Sequence, residues 1–109
     1  IAKRNPTGEG KMDRDLALAL LKTQEAALKA KGVAHLYLFG SVSRNENGTI
    51  SDVDVAFDLK PDSEFDAFDM GGVMLDLADL LEQKVDLVER RSLSPEFEKT
   101  VGSDLIQIF

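Results

Sequence analysis

The segment from Leu36 to Asp58 constrains this chain more than any other. An apolar run ends at Gly40-Ser41, ten residues follow, and Asp52-Val53-Asp54 opens a second apolar run. The pattern reads as strand, tight turn, short loop, strand. Side chains on a strand alternate between faces, so Asp52 and Asp54 point the same way while Val53, Val55 and Phe57 point into a core. The Cα atoms of the two aspartates then lie about 6.6–7 Å apart, from a rise of about 3.3–3.4 Å per residue. That spacing lets two carboxylates converge on one divalent cation. The short link makes the two strands antiparallel neighbours.

The rest of the chain supplies helices for such strands. Asp13 to Lys31 reads as one helix, capped by Asp13 and stopped by Gly32, with Leu16, Leu20, Ala27 and Ala30 as its apolar face and Leu21 and Leu28 beside them. Val33 to Phe39 is the first strand, Asn47-Gly48 a turn, and Ile50 to Leu59 the second strand, ended by Pro61. Glu64 to Gln83 reads as a helix despite Gly71-Gly72, with Met70, Val73, Leu77 and Leu80 on one face and Phe65 and Phe68 extending it. Lys84 to Glu89 alternates as a third strand, Val85 and Leu87 opposite Asp86 and Val88. Ser94-Pro95 opens a further helix, and Asp104 to Phe109 is a last strand or a helix end. Tyr37 and the phenylalanines are assigned to the core, the Arg90-Arg91 pair to solvent, and His35 to a structural role. The expected class is α/β (α+β), a small mixed sheet flanked by helices. Residues 1–11 show no periodicity and are expected to be a flexible tail or vector-derived residues, with Met12 the natural start of a domain over 12–109.

Composition narrows the function. A chain of 109 residues builds one domain. Its net charge of −7 argues against direct contact with a nucleic-acid backbone. A nucleotide substrate is still open, because metal ions can neutralise its phosphates. The absence of cysteine removes disulfide and thiolate chemistry and suits a cytoplasmic protein. No apolar run approaches the roughly 20 residues of a membrane span.

Three features carry the chemistry. Gly40-Ser41 ends a strand where glycine permits close approach to the backbone, and free N–H groups with the Ser41 hydroxyl suit phosphate oxygens. Asp52 and Asp54 are hard oxygen ligands of the kind Mg²⁺ takes together with phosphates. Asp86 lies in an apolar strand, where a carboxylate is costly unless compensated. Placed beside the second strand, it completes a trio suited to metal-assisted nucleotidyl transfer, as general base or as an extra metal ligand. Arg44 follows Ser41 closely enough to meet a triphosphate.

These residues resemble a family. Gly40-Ser41, ten residues, Asp52-Val53-Asp54 and a later Lys84-Val85-Asp86-Leu87-Val88 are similar to the DNA polymerase beta-like nucleotidyltransferase superfamily. The runs Leu38 to Arg44 and Ser51 to Val55, with the small size, are similar to its minimal nucleotidyltransferases, the MNT proteins. The resemblance spans Met12 to Phe109. It implies the polymerase beta-like fold, ATP as substrate with Mg²⁺, and Asp52, Asp54 and Asp86 as the catalytic and metal-binding triad. Gly40 and Ser41 would form the nucleotide-phosphate turn. Relatives often carry glycine after the arginine. Asn45 stands there in this chain, and asparagine tolerates positive φ.

The family also implies an activity and a partner. Many MNT proteins adenylylate a tyrosine of a HEPN-domain RNase toxin and so act as its antitoxin. The chain ends soon after the third strand, so the acceptor surface is expected from a partner chain or another protomer. Two alternatives remain open at this point. One is an antitoxin that neutralises by binding alone; the other is a nucleotidyltransferase acting on a small molecule such as an antibiotic.

Overall fold

The computed structural model describes residues 13–43, 52–92, 94–96, 99 and 105–109. The expected tail, the Asn47-Gly48 turn and Arg44 lie outside the described residues. The elements run α1 (Arg14–Lys22), α2 (Glu25–Ala30), β1 (Val33–Phe39), α3 (Gly40–Ser43), β2 (Val53–Leu59), α4 (Ala67–Leu81), β3 (Val85–Glu89) and β4 (Ile106–Gln107). A 3₁₀ turn at Arg90–Ser92 follows β3. The four strands form one mixed sheet in the order β3-β2-β1-β4. As the short link requires, β1 and β2 are antiparallel. β2 and β3 are parallel, which needs a crossover, and α4 supplies it. β4 pairs antiparallel with the outer edge of β1.

Alternation decides which face is dry. Val53, Val55 and Phe57 of β2, Val33, Leu36 and Leu38 of β1, and Val85 and Leu87 of β3 pack with the helices in one core. Ala17, Leu21 and Leu28 enter it from α1 and α2, and Val73, Leu77 and Leu81 from α4. Full burial of each large side chain stabilises the fold by about 1.5–3 kcal/mol. The second face carries a smaller cluster of Phe39 and Ala56, flanked by Tyr37, Val88 and Leu105.

The first helix is two helices. The Thr23 hydroxyl donates to the Leu20 carbonyl at 2.5 Å, and the Gln24 N–H bonds Leu21 O at 3.0 Å, which tightens the turn. Ala17, Leu21 and Leu28 form the buried stripe while Leu16 is exposed, so the helices turn a face one residue away from the expected Leu16–Leu20 line into the core. Glu25 bridges the break. Hydrogen bonds from Lys22 and Lys29 hold its carboxyl down to about 2.

α4 starts later than its apolar pattern suggests. Asp66 caps it in a reciprocal box, with Asp69 N–H donating to Asp66 at 2.9 Å and Asp66 N–H to Asp69 at 3.1 Å. Phe65 stacks on Phe57 with ring centroids 5.4 Å apart. Phe68, by contrast, is 90% exposed and not core. It lies five residues before Val73, about 500° around the helix, and so faces outward.

Candidate active site

β2 carries Asp54, Ala56 and Asp58 on the sheet face opposite the main core, and Asp52 extends that row by one residue ahead of the strand. The parallel register puts Asp86 of β3 directly beside Asp54. Strands neighbour each other at about 4.8 Å, so the two carboxylates share one small surface. Phe39 opposes Asp54 from the other side, and Gly40 follows it at the start of α3. The register thus sets Asp86 beside Asp54, and Asp54 is the β2 aspartate that meets the Gly40 turn.

Gly40 is fixed by two requirements. Its φ of +80° is a left-handed conformation that side-chain-bearing residues avoid. A Cβ there would run into the Asp54 carboxylate oxygen, with Asp54 Cγ only 3.0 Å away. The turn and the carboxylate thus touch because the residue at 40 has no side chain. Ser41 lies in α3, whose backbone is described; its side chain is outside the described atoms, as is all of Arg44.

One cation at this site escapes a reading of the motif. Lys84 Nζ stands 3.8 Å from Asp52 Oδ2, and Lys84 O accepts from Val53 N–H at 2.9 Å. Its signal in the sequence is parity, since 84 and 86 share a strand face. The ion pair is exposed, so it contributes about 0–1 kcal/mol.

Two adjacent carboxylates repel by about 1 kcal/mol in water and by a few at an effective dielectric of 20. That charge and hard oxygen chemistry suit a divalent cation. Among the described residues no three acidic or imidazole groups close into a metal cage. Mg²⁺ does not require one, since it takes one or two carboxylates with water and substrate phosphates. The donor set fits a metal that arrives with its nucleotide.

The other end of the same face is structural. Arg90 Nε donates to both Asp58 oxygens at 2.9 and 3.2 Å, and its Nη2 to Oδ2 at 3.1 Å. Tyr37 O–H donates to Asp58 at 2.7 Å, and the guanidinium lies 5.2 Å from the Tyr37 ring centroid. Burial raises the Asp58 carboxyl, but the Arg90 and Tyr37 hydrogen bonds outweigh it and leave it below the usual range. Burial, then the hydrogen bond to Asp58, raises Tyr37. Arg90 is thus no solvated surface arginine. His35 is exposed near the Phe109 carbonyl and Gln107; it pairs across the strands with Asp58, four residues along β2 from Asp54.

This arrangement can be set against known proteins. The family described as polymerase beta, nucleotidyltransferase matches residues 21–109. The chain belongs to that family. A Methanocaldococcus jannaschii protein named "Putative protein adenylyltransferase MJ0126" is 36% identical over 92 residues, 82% of this chain and 91% of its own length. The structure of a "putative minimal nucleotidyltransferase" superposes with a TM-score of 0.72 at 27% identity, covering 87% of this chain and 95% of the other. A chain from a toxin–antitoxin structure with AMP-PNP gives 0.66 at 27% identity, over 83% and 72% of the two chains. One from a tri-AMPylated Shewanella oneidensis HEPN toxin in complex with MNT antitoxin gives 0.59 at 25%, over 84% and 71%. The expected polymerase beta-like fold and the minimal nucleotidyltransferase resemblance are both borne out. No described helix is long and apolar enough to cross a membrane.

Proposed function

We propose that this nucleotidyltransferase moves AMP from ATP to a hydroxyl of a HEPN-domain toxin and so acts as its antitoxin. The observation that carries the reading is the register that sets Asp86 beside Asp54, with Gly40 against the Asp54 carboxylate. The tri-AMPylated HEPN toxin found with an MNT antitoxin supports the class of acceptor, and the hydroxyl proposed to receive AMP is that of a tyrosine.

In this reading Asp52 and Asp54 would hold Mg²⁺, with Asp86 either as a further ligand or, in the transfer step, as the general base. Bound with ATP, such a metal would neutralise triphosphate charge and make the α-phosphorus more electrophilic. Gly40 and Ser41 hold phosphate oxygens through backbone N–H groups, and Arg44 and Lys84 add positive charge. The acceptor oxygen bonds the α-phosphorus as the bond to pyrophosphate breaks. Asp86 takes the hydroxyl proton, so the products are an AMP ester and pyrophosphate. The domain carrying this chemistry spans residues 12–109.

The test uses ATP labelled at the α-phosphate, Mg²⁺ and a HEPN-domain protein from the genome that encodes this chain. Label should appear on the HEPN protein, fall at least a hundredfold with Asp52→Asn or Asp54→Asn, and vanish with EDTA. Protein that binds ATP yet leaves the HEPN protein unlabelled refutes the reading.

A further inference from the structure

The outer face of α4 has no explanation in the fold. Phe68 is 90% exposed and Leu75 is 68% exposed. Seven residues apart, they stand on one face about 10 Å apart along the axis. Gly71 and Gly72 lie between them. A Cβ at either glycine would meet nothing within 4 Å, so packing inside the domain does not demand them. Each nevertheless costs the helix about 0.5–1 kcal/mol relative to alanine. Two exposed apolar side chains flank a stretch of bare backbone that another surface can approach closely.

Charge selects the occupant. Asp69, Asp76, Asp79 and Glu82 surround the apolar pair, Asp66 caps the helix, and α4 contains no basic residue. A second copy would bring the same carboxylates and another net charge of −7 against them. A surface with an apolar ridge bracketed by lysine or arginine matches both features. We infer that α4 is the docking face for such a basic protein surface, and that the HEPN partner carries it; this rests on the function proposed above. Val73, Leu77 and Leu81 turn the opposite side of α4 into the core, so the sheet separates this face from Asp52, Asp54 and Asp86. Docking on α4 therefore anchors the partner without itself bringing a hydroxyl to the carboxylates, which a reaching segment or a second partner copy must supply, so anchoring and transfer are separable.

The experiment measures binding of the full chain to a HEPN-domain protein from the same genome by titration calorimetry, with AMP transfer measured in parallel. Phe68→Ser with Leu75→Ser should weaken binding at least tenfold with an unchanged melting curve. Asp76→Lys with Asp79→Lys, which keeps the apolar pair, should also weaken it, and wild-type affinity should fall as NaCl rises. Asp54→Asn should bind normally and transfer nothing. If both double variants bind like the wild type while transfer persists, the docking inference fails and the activity stands. A wild-type homodimer that Phe68→Ser with Leu75→Ser dissolves makes a second copy the occupant and overturns the assignment. A wild type that neither binds nor labels the HEPN protein overturns the functional reading as well.

Discussion

Replacing Gly40 with alanine separates two reasons for a glycine at the strand–helix junction. The φ of +80° costs a side-chain-bearing residue about 1–2 kcal/mol. The new Cβ also meets the Asp54 carboxylate, with Cγ at 3.0 Å, and turning that side chain about 30° off its rotamer costs about 0.5–1.5 kcal/mol. Alanine restricts the unfolded chain and returns about 0.4–1 kcal/mol. The net loss is about 2 kcal/mol, which lowers the urea midpoint by about 1 M at an m-value near 2 kcal/mol/M. Urea titrations followed by circular dichroism measure it directly. The Asp54→Ala background isolates the clash, because only Asp54 Cβ, 3.3 Å from the new methyl, then remains. Gly40→Ala should cost about 0.5–1.5 kcal/mol less there. An unchanged midpoint for Gly40→Ala would refute both reasons, and an identical loss in the two backgrounds would refute the clash. ATP affinity should fall with Gly40→Ala even where the protein is fully folded, since Asp54 has been moved.

Other substitutions should behave differently. Gly71→Ala and Gly72→Ala meet open space in a helix interior and should each raise stability by about 0.5–1 kcal/mol, read as a higher urea midpoint. Arg90→Ala leaves a mostly buried carboxylate without its main partner and should cost about 1.5–3 kcal/mol. The Asp58 carboxyl is depressed in the folded state, so its contribution is complete above the unfolded value of about 3.9 and is lost as pH falls through the lower folded value. Midpoints measured from pH 5 downward should drop less steeply for Asp58→Asn than for wild type, with Glu25→Gln and Asp66→Asn as controls for the other two depressed carboxyls. Lys84→Ala should leave stability within about 1 kcal/mol of wild type and weaken ATP binding most at low salt, as salt titration of nucleotide affinity will reveal.

Much of this arrangement is legible in the sequence because it rests on period two. The alternation of Val53, Val55 and Phe57 against Asp52 and Asp54, and of Val85 and Leu87 against Asp86, reports strands with one wet face. The helix errors come from signals that period alone does not carry. Thr23 back-bonds Leu20 and breaks a pattern whose apolar content runs on, and the Asp66–Asp69 box starts α4 after Phe65. Phe68 is different: its angle from Val73 already sets it outside the apolar face, so its exposure was readable. The Tyr37–Asp58–Arg90 group joins residues 21 and 32 positions apart, and no local pattern reports that. Only the parity of Asp58 with Asp54 was available.

Register also explains why site and core cannot drift apart. Asp54 touches the Gly40 turn on one side and neighbours Asp86 on the other, so three segments must align to one residue. A one-residue slip of β3 would put Val85 or Leu87 beside Asp54 and turn Asp86 into the core. Burying that carboxylate without a partner, and exposing two buried apolar side chains, would cost several kcal/mol. The Arg90–Asp58 pair opposes the same slip, since it ties the end of β3 to β2 four residues beyond Asp54. The dry face of β2 and the ion pair at its far end thus hold the carboxylates in register without taking part in their chemistry.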